Sequence, residues 1–171
     1  MSIVGIAGTL LLAPGAAADP DAAPVDPAVD PGAPPVQVAA PGNPNADPMA
    51  VTACSQFAEV LDSTSTYYSD FTDSLNGFAT ENYSDPSVSS SNVLGRTALR
   101  EGAGIAMNTA NTPGVPPPIA DPMRTWSVDA TKLLLKMGLR GGRDSLNTTA
   151  DEMNNDALAV QHACADAGTH A

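Results

Sequence analysis

Apolar residues recur at alternating spacings of three and four in four separate stretches of the chain, the signature of helices that bury one face. The most pronounced stretch runs from Ile119 to Arg140, where Met123, Trp126, Ala130, Leu133 and Met137 form one stripe. Lys132, Lys136, Arg140 and Arg143 step by four, four and three along a different face. A helix is predicted from about Met49 to Asn76, with Val51, Cys54, Ala58, Leu61, Ser65, Tyr68, Thr72 and Leu75 as its seam and Phe57 and Phe71 flanking it. The next is predicted from about Pro86 to Asn111. Its inward residues are mostly small: Gly95, Ala98, Leu99, Gly102, Ala103 and Ala106. Glycine costs an isolated helix up to ~1 kcal/mol per residue, so this helix depends on its neighbours and in return allows close approach. In the last stretch Leu146, Ala150, Met153, Ala157, Val160, Cys164 and Ala167 alternate again.

The boundaries follow from turn chemistry. Asp47-Pro48, Asp85-Pro86 and Asp121-Pro122 read as helix starts, since Asp caps well and Pro at the first helical position loses no needed N–H. Gly77 fits a helix end, with Phe78 folding back over the last turn. The run Pro113–Pro118 is read as a non-helical link. Gly141-Gly142 ends the Trp-bearing helix, Asp144 or Ser145 caps the next, and Gly168 closes it. Four helices with short links predict an all-α, four-helix up-down-up-down bundle. In that topology the start of the first helix and the end of the last lie at the same end. Cys54 and Cys164 sit there on apolar seams, as a disulfide clasp requires.

Ahead of the helices the pattern changes. Ile3–Leu12 is a short apolar run followed by Ala16-Ala17-Ala18, which reads as a cleaved signal peptide over residues 1–18. The run is too short to span a bilayer. Residues 19–46 are rich in Pro, Ala and Asp, carry no Lys or Arg and show no period, so they are expected to stay unstructured. Stiffened toward polyproline II, such a leader reaches at most ~85 Å. The helical domain is placed at 47–171. Export puts the two cysteines where disulfides persist.

Net charge sharpens the picture. At −12 over 171 residues, the chain lacks the basic surface that nucleic-acid binding needs, and general adhesion to anionic membrane is equally disfavoured. Only 4% of residues are aromatic, so much of the core is alanine. No nucleophile elbow, phosphate loop, dinucleotide fingerprint, zinc helix or calcium loop is present. His162 lies beside the seam of the last helix and His170 next to the C-terminus, with no nucleophile set around either. Asp151, Glu152 and Asp156 read as a solvated acidic face, and Tyr68 and Trp126 as core residues. No enzyme activity, cofactor or metal is expected.

The basic residues carry the binding expectation. Arg124, Lys132, Lys136, Arg140 and Arg143 are five of the seven Lys and Arg residues, all in or just after one helix. They are the candidate partner-binding residues, suited to an anionic envelope component or an acidic protein. Pairing with acids such as Glu59, Asp62, Asp70 or Asp156 is the competing role, with exposed pairs adding only ~0–1 kcal/mol each.

A short signal, an Ala/Pro/Asp-rich leader and an Ala-rich helical domain with one cysteine pair resemble small exported proteins of mycobacteria and related actinobacteria. Val60-Leu-Asp-Ser-Thr-Ser-Thr-Tyr-Tyr68 within Cys54–Phe71, and Arg124–Arg140, carry the likeness over about Ala50–Ala171. It implies a secreted or cell-envelope location and assigns no activity. Some helical proteins of that group bind haem and one set supports siderophore export, so the alternative function is a carrier of an apolar small molecule such as a lipid, haem or siderophore. The low His content speaks against haem.

Overall fold

The structure, a computed structural model, describes Val38 and residues 42–171. The expected signal peptide and most of the expected leader lie outside these residues. The described chain forms four helices: α1 (Pro48–Asn76), α2 (Pro86–Ala110), α3 (Pro117–Gly138) and α4 (Arg143–Asp166). Consecutive helices pack side by side, whereas α1 approaches α4 and α3 only slightly at the backbone level. Successive pairs are antiparallel. Thr109 donates to Gln56 (2.8 Å) at one end of α1 and α2, and the hydroxyls of Ser74 and Ser91 meet (2.7 Å) at the other. This is the expected four-helix bundle.

Asp47 caps α1 by accepting from the N–H groups of Met49 (2.7 Å) and Ala50 (3.3 Å), and Asp85 caps α2 by accepting from Ser87 (2.8 Å). The third Asp-Pro pair behaves differently. α3 starts at Pro117, and Pro122 lies inside it. Pro117 and Pro118 occupy the first turn, where no N–H is needed, so the proline run expected to be a link instead begins the helix. Its end also departs from expectation. Arg140, not a glycine, takes the left-handed conformation (φ 56°), while Gly141 N–H reaches back to the Lys136 carbonyl (2.9 Å). α4 starts after Gly142 without a side-chain cap, one residue before Asp144.

The core surrounds Trp126, which is fully buried and meets Phe57 edge-on with ring centroids 5.2 Å apart. Burying ~200 Å² of indole stabilises by roughly 5 kcal/mol. The α1 seam is wider than the expected stripe. Ala50, Ala53, Phe57, Val60, Thr64 and Phe71 are buried, while Val51 is 41% exposed. A core-facing stripe takes three or four positions per two turns, and the expected one ran along its edge. Cys54 and Cys164 are joined by a disulfide with Cα atoms 6.0 Å apart, linking the start of α1 to the end of α4.

Structure begins before Asp47. Val38 N–H donates to Gln161 Oε1 (2.9 Å), and Asn43 N–H to the Gly168 carbonyl (2.8 Å). Gly168 has φ 77°, and a Cβ there would come within 2.6 Å of Asn43 Cβ. The stretch expected to be unstructured as far as Ala46 is therefore tied, at Val38 and Asn43, to the final turns of the chain.

Candidate functional site

The expected basic stripe divides into separate local jobs. Arg124 sits in the first half of α3, across from the C-terminus of α2. It donates to the Ala110 carbonyl (2.7 Å), to Asn111 Oδ1 (3.0 Å) and to Asp121 (2.6 Å). Arg143 closes the end of α1 in the same way, donating to the Leu75 (2.8 Å) and Phe78 (2.7 Å) carbonyls. Its own backbone N–H donates to Glu81 (3.2 Å), whose carboxyl is held below the usual range by backbone N–H donors. Terminal carbonyls of a helix lack intrahelical donors and carry partial negative charge, so a guanidinium satisfies both needs.

Lys136 reaches across to α4, donating to the Ser145 carbonyl (3.0 Å) and to Thr149 Oγ1. Lys132 pairs with Asp129 one turn earlier, and that bond raises the pKa of the lysine. Arg140 is exposed, and its side chain alone of the five makes no hydrogen bond or ion pair among the described residues. The structure thus brings Lys132 and Lys136 to the α3–α4 seam and places Arg124 and Arg143 at two helix ends.

Asp129 of α3 joins this seam, and only 6% of it is exposed. It faces Asp156 of α4. Burial, then the hydrogen bond and repulsion from Asp129, push the Asp156 carboxyl up to about 6, with Lys132 opposing and Glu152 adding to the rise. One Asp156 oxygen, Oδ2, is buried with no partner among the described residues. Two acids that meet across a helix seam, with a lysine ion-paired to one of them, make that seam sensitive to protons. The sequence does hold a signal for it: Asp129 precedes the core residue Ala130 and is one turn from Trp126, so it lies near the buried stripe.

Tyr68 and Trp126 are in the core, as read from the sequence, and burial raises the Tyr68 pKa. Tyr68 O–H and Trp126 Nε1–H have no hydrogen-bond partner among the described residues. His162 and His170 are exposed. Among the described residues no group of His, Cys, Asp and Glu is arranged to hold a metal ion. An open groove of about 570 Å³ runs between α1 and α2, with Glu59, Ser63, Glu101 and Asn108 on its walls.

Residues 37–165 match the family model of the Rv2240c four-helix bundle domain. The chain belongs to this family. No curated protein and no solved structure matches it. The Rv2240c family carries a mycobacterial designation, which supports the resemblance to mycobacterial helical proteins. Its match begins just before Val38 and ends just after Cys164, so the residues docked on α4 and both cysteines fall inside the domain. Among the described residues no helix is long and apolar enough to cross a membrane.

Proposed function

We propose that this protein is an exported, non-enzymatic interaction protein of the cell envelope. The carrying observation is the buried Cys54–Cys164 disulfide, which ties the first helix to the last in a bundle where those two barely touch. Such a bond suits an oxidising compartment outside the cytoplasm. The apolar run and small-residue site in residues 1–18 supply a route there. The partner is an anionic envelope component or an acidic protein. Of the residues expected to meet it, Arg140 has its donors open, while Arg124, Lys132, Lys136 and Arg143 also serve the fold.

The test is fractionation of native-host cultures. Protein beginning at Asp19, lacking titratable thiols and co-purifying with an envelope constituent is the expected result. Full-length, reduced protein confined to the cytoplasm overturns the reading. One observation favours the carrier alternative: the unpartnered Tyr68 O–H and Trp126 N–H inside the core are donors that a ligand would satisfy. An apolar ligand bound there shifts the Trp126 fluorescence in a saturable way. Indifference of that signal to lipid, haem and siderophore removes the alternative.

A further inference from the structure

The outer side of α2 and α3 brings exposed aliphatic side chains of both helices beside arginines of α2. The register between the helices is fixed by three contacts. Asn92 donates to the Met137 carbonyl (3.2 Å), Ser127 to the Ala103 carbonyl (2.7 Å) and Arg124 to the Ala110 carbonyl (2.7 Å). Near the first of these, the Arg96 guanidinium lies 3.1 Å from where a Cβ of Gly138 would stand. Arg100 follows one turn along α2. Helical periodicity then places Val93, Arg96 and Arg100 beside Val128, Leu135 and Leu139 on the outward side of the pair. The apolar members are open to solvent: Leu139 is 84% exposed, Leu135 58%, Val93 57% and Val128 48%. Neither the Arg96 nor the Arg100 side chain makes a hydrogen bond or ion pair among the described residues, and Arg96 Nε is buried without a partner.

The acids lie elsewhere. α1 carries Glu59, Asp62, Asp70 and Asp73 with no Lys or Arg, and α4 carries Asp144, Asp151, Glu152, Asp156 and Asp166. On α2, Glu101 turns to the groove shared with α1. On α3, Asp129 is buried and Asp121 is paired with Arg124. The bundle is therefore polarised, with α1 and α4 as the acidic layer and α2–α3 presenting an exposed Arg100 and a half-buried Arg96 among aliphatic side chains.

We propose that this α2–α3 face docks on an anionic lipid surface. Arg96 and Arg100 pair with headgroup phosphates, and Leu135, Leu139, Val93 and Val128 enter the headgroup–acyl boundary. The inference rests on the envelope-interaction reading and names its partner. Charge complementarity carries it, and the net charge of −12 does not cancel it. Packed helices stand ~8–10 Å apart, so the acidic layer of α1 lies about a Debye length of ~8 Å behind the docking face, while Glu152 and Asp156 of α4 reach only its Lys132 edge. Its repulsion is screened once the arginines touch the surface. Aliphatic residues with snorkelling arginines are the pattern of an interfacial face. A protein-binding hot spot favours Trp and Tyr anchors as well as Arg, and this face has arginines but no aromatic anchor.

The test uses full-length oxidised protein with vesicles of phosphatidylglycerol and phosphatidylcholine in equal parts, and with phosphatidylcholine alone. Sedimentation with the anionic vesicles at low salt, release at high salt and no binding to the neutral vesicles are expected. Arg96→Gln with Arg100→Gln should cost about thirtyfold in apparent affinity, equivalent to ~1 kcal/mol for each arginine near an anionic surface. Because Arg96 lies against Gly138, Arg100→Glu alone is the second variant. Its side chain is exposed, and the reversal should lower binding without moving the thermal midpoint. No binding to anionic vesicles, or equal binding by wild type and Arg100→Glu, overturns the proposal. Salt-resistant binding to neutral vesicles overturns it too. If the protein ignores lipid yet captures an acidic envelope protein, this inference falls while the envelope-interaction reading stands.

Discussion

The two seams of α3 are built from different chemistry. Toward α2 it is held by neutral and always-charged donors to backbone carbonyls, from Asn92, Ser127 and Arg124, over a floor of Gly95, Gly102 and Ala103. Toward α4 it is held by Asp129, Asp156, Lys132 and Lys136, groups whose charge or protonation sets the fit. One seam depends on volume and the other on protons. α4 also lacks a close second neighbour, since α1 approaches it only slightly, and there the disulfide supplies what packing does not.

The largest effect should come from cutting that covalent link. The Cys54–Cys164 bond spans a sequence separation of 110, which in the chain-entropy model stabilises by ~4–5 kcal/mol. Calorimetry of Cys54→Ala with Cys164→Ala should show a thermal midpoint at least ~10 °C lower. A fall of only a degree or two would mean that the α3–α4 seam holds α4 unaided.

The small-residue face of α2 fits closely against α1 as well as α3, and it breaks by overpacking. A Cβ at Gly102 would lie 2.7 Å from Thr64 Cγ2, 3.1 Å from Val60 Cγ1 and 3.4 Å from Trp126 Cη2. Thr64 cannot easily turn away, because its hydroxyl donates to the Val60 carbonyl (2.7 Å). Gly102→Val should destabilise by ~2–3 kcal/mol in denaturant unfolding. Gly104 is the control, since a Cβ there meets nothing within 4 Å. Gly104→Ala should stabilise by up to ~1 kcal/mol through helix propensity. Similar effects at the two sites would refute the packing account.

The proton-dependent seam gives a pH signature. Asp156 is raised from the usual carboxylate range to about 6, so the folded state binds its proton more tightly than the unfolded chain. Its stabilising contribution is complete below about pH 4 and is lost as pH rises through about 6. Because the carboxyl is partly exposed, screening limits that loss to ~1–2 kcal/mol. Asp156→Asn can still donate to Asp129 and should flatten the fall in stability between about pH 4 and 6. Glu81 and Asp85 have the opposite sign, Glu81 held low by its own and the Arg143 backbone N–H and Asp85 by the Ser87 hydroxyl and N–H, and their contribution disappears as pH falls through their own range. An unchanged slope in Asp156→Asn would remove the carboxyl pair as its cause.

What the sequence disclosed follows the reach of local rules. Helix number, the small-residue face of α2 and the cysteine clasp depend on periodicity and topology, and all are present in the fold. Asp121-Pro122 misled because a cap signal is local, whereas Pro117 and Pro118 were already suited to a first helical turn. The basic residues were visible as a group, but their partners are main-chain carbonyls at Ala110, Leu75 and Phe78, which have no sequence signature. Arg96 and Arg100 carry no local signal, because the apolar residues of their face, Leu135 and Leu139, belong to another helix. The role of the buried Asp129 is not legible locally, because it requires Asp156 from α4.

The smallest effect lies at the turn where the two seams end. Arg140 takes φ 56° although Gly141 and Gly142 follow directly. A left-handed residue with a Cβ is strained by roughly 1–2 kcal/mol relative to its right-handed form, and glycine avoids most of that strain. The turn keeps its register because Gly141 N–H is fixed to the Lys136 carbonyl (2.9 Å) and Arg140 N–H to the Met137 carbonyl (3.2 Å). Moving the left-handed position to Gly141 would displace both bonds and the Lys136 contact with Thr149. Arg140→Gly should therefore stabilise by ~0.5–1 kcal/mol, less the extra entropy that glycine adds to the unfolded chain. It also removes the one expected partner-binding cation with no partner among the described residues. Measuring the midpoint together with envelope association separates the two roles. A more stable protein that associates less shows that the turn bears its strain for an exposed guanidinium. A more stable protein that associates equally well shows that Arg140 takes no part in binding.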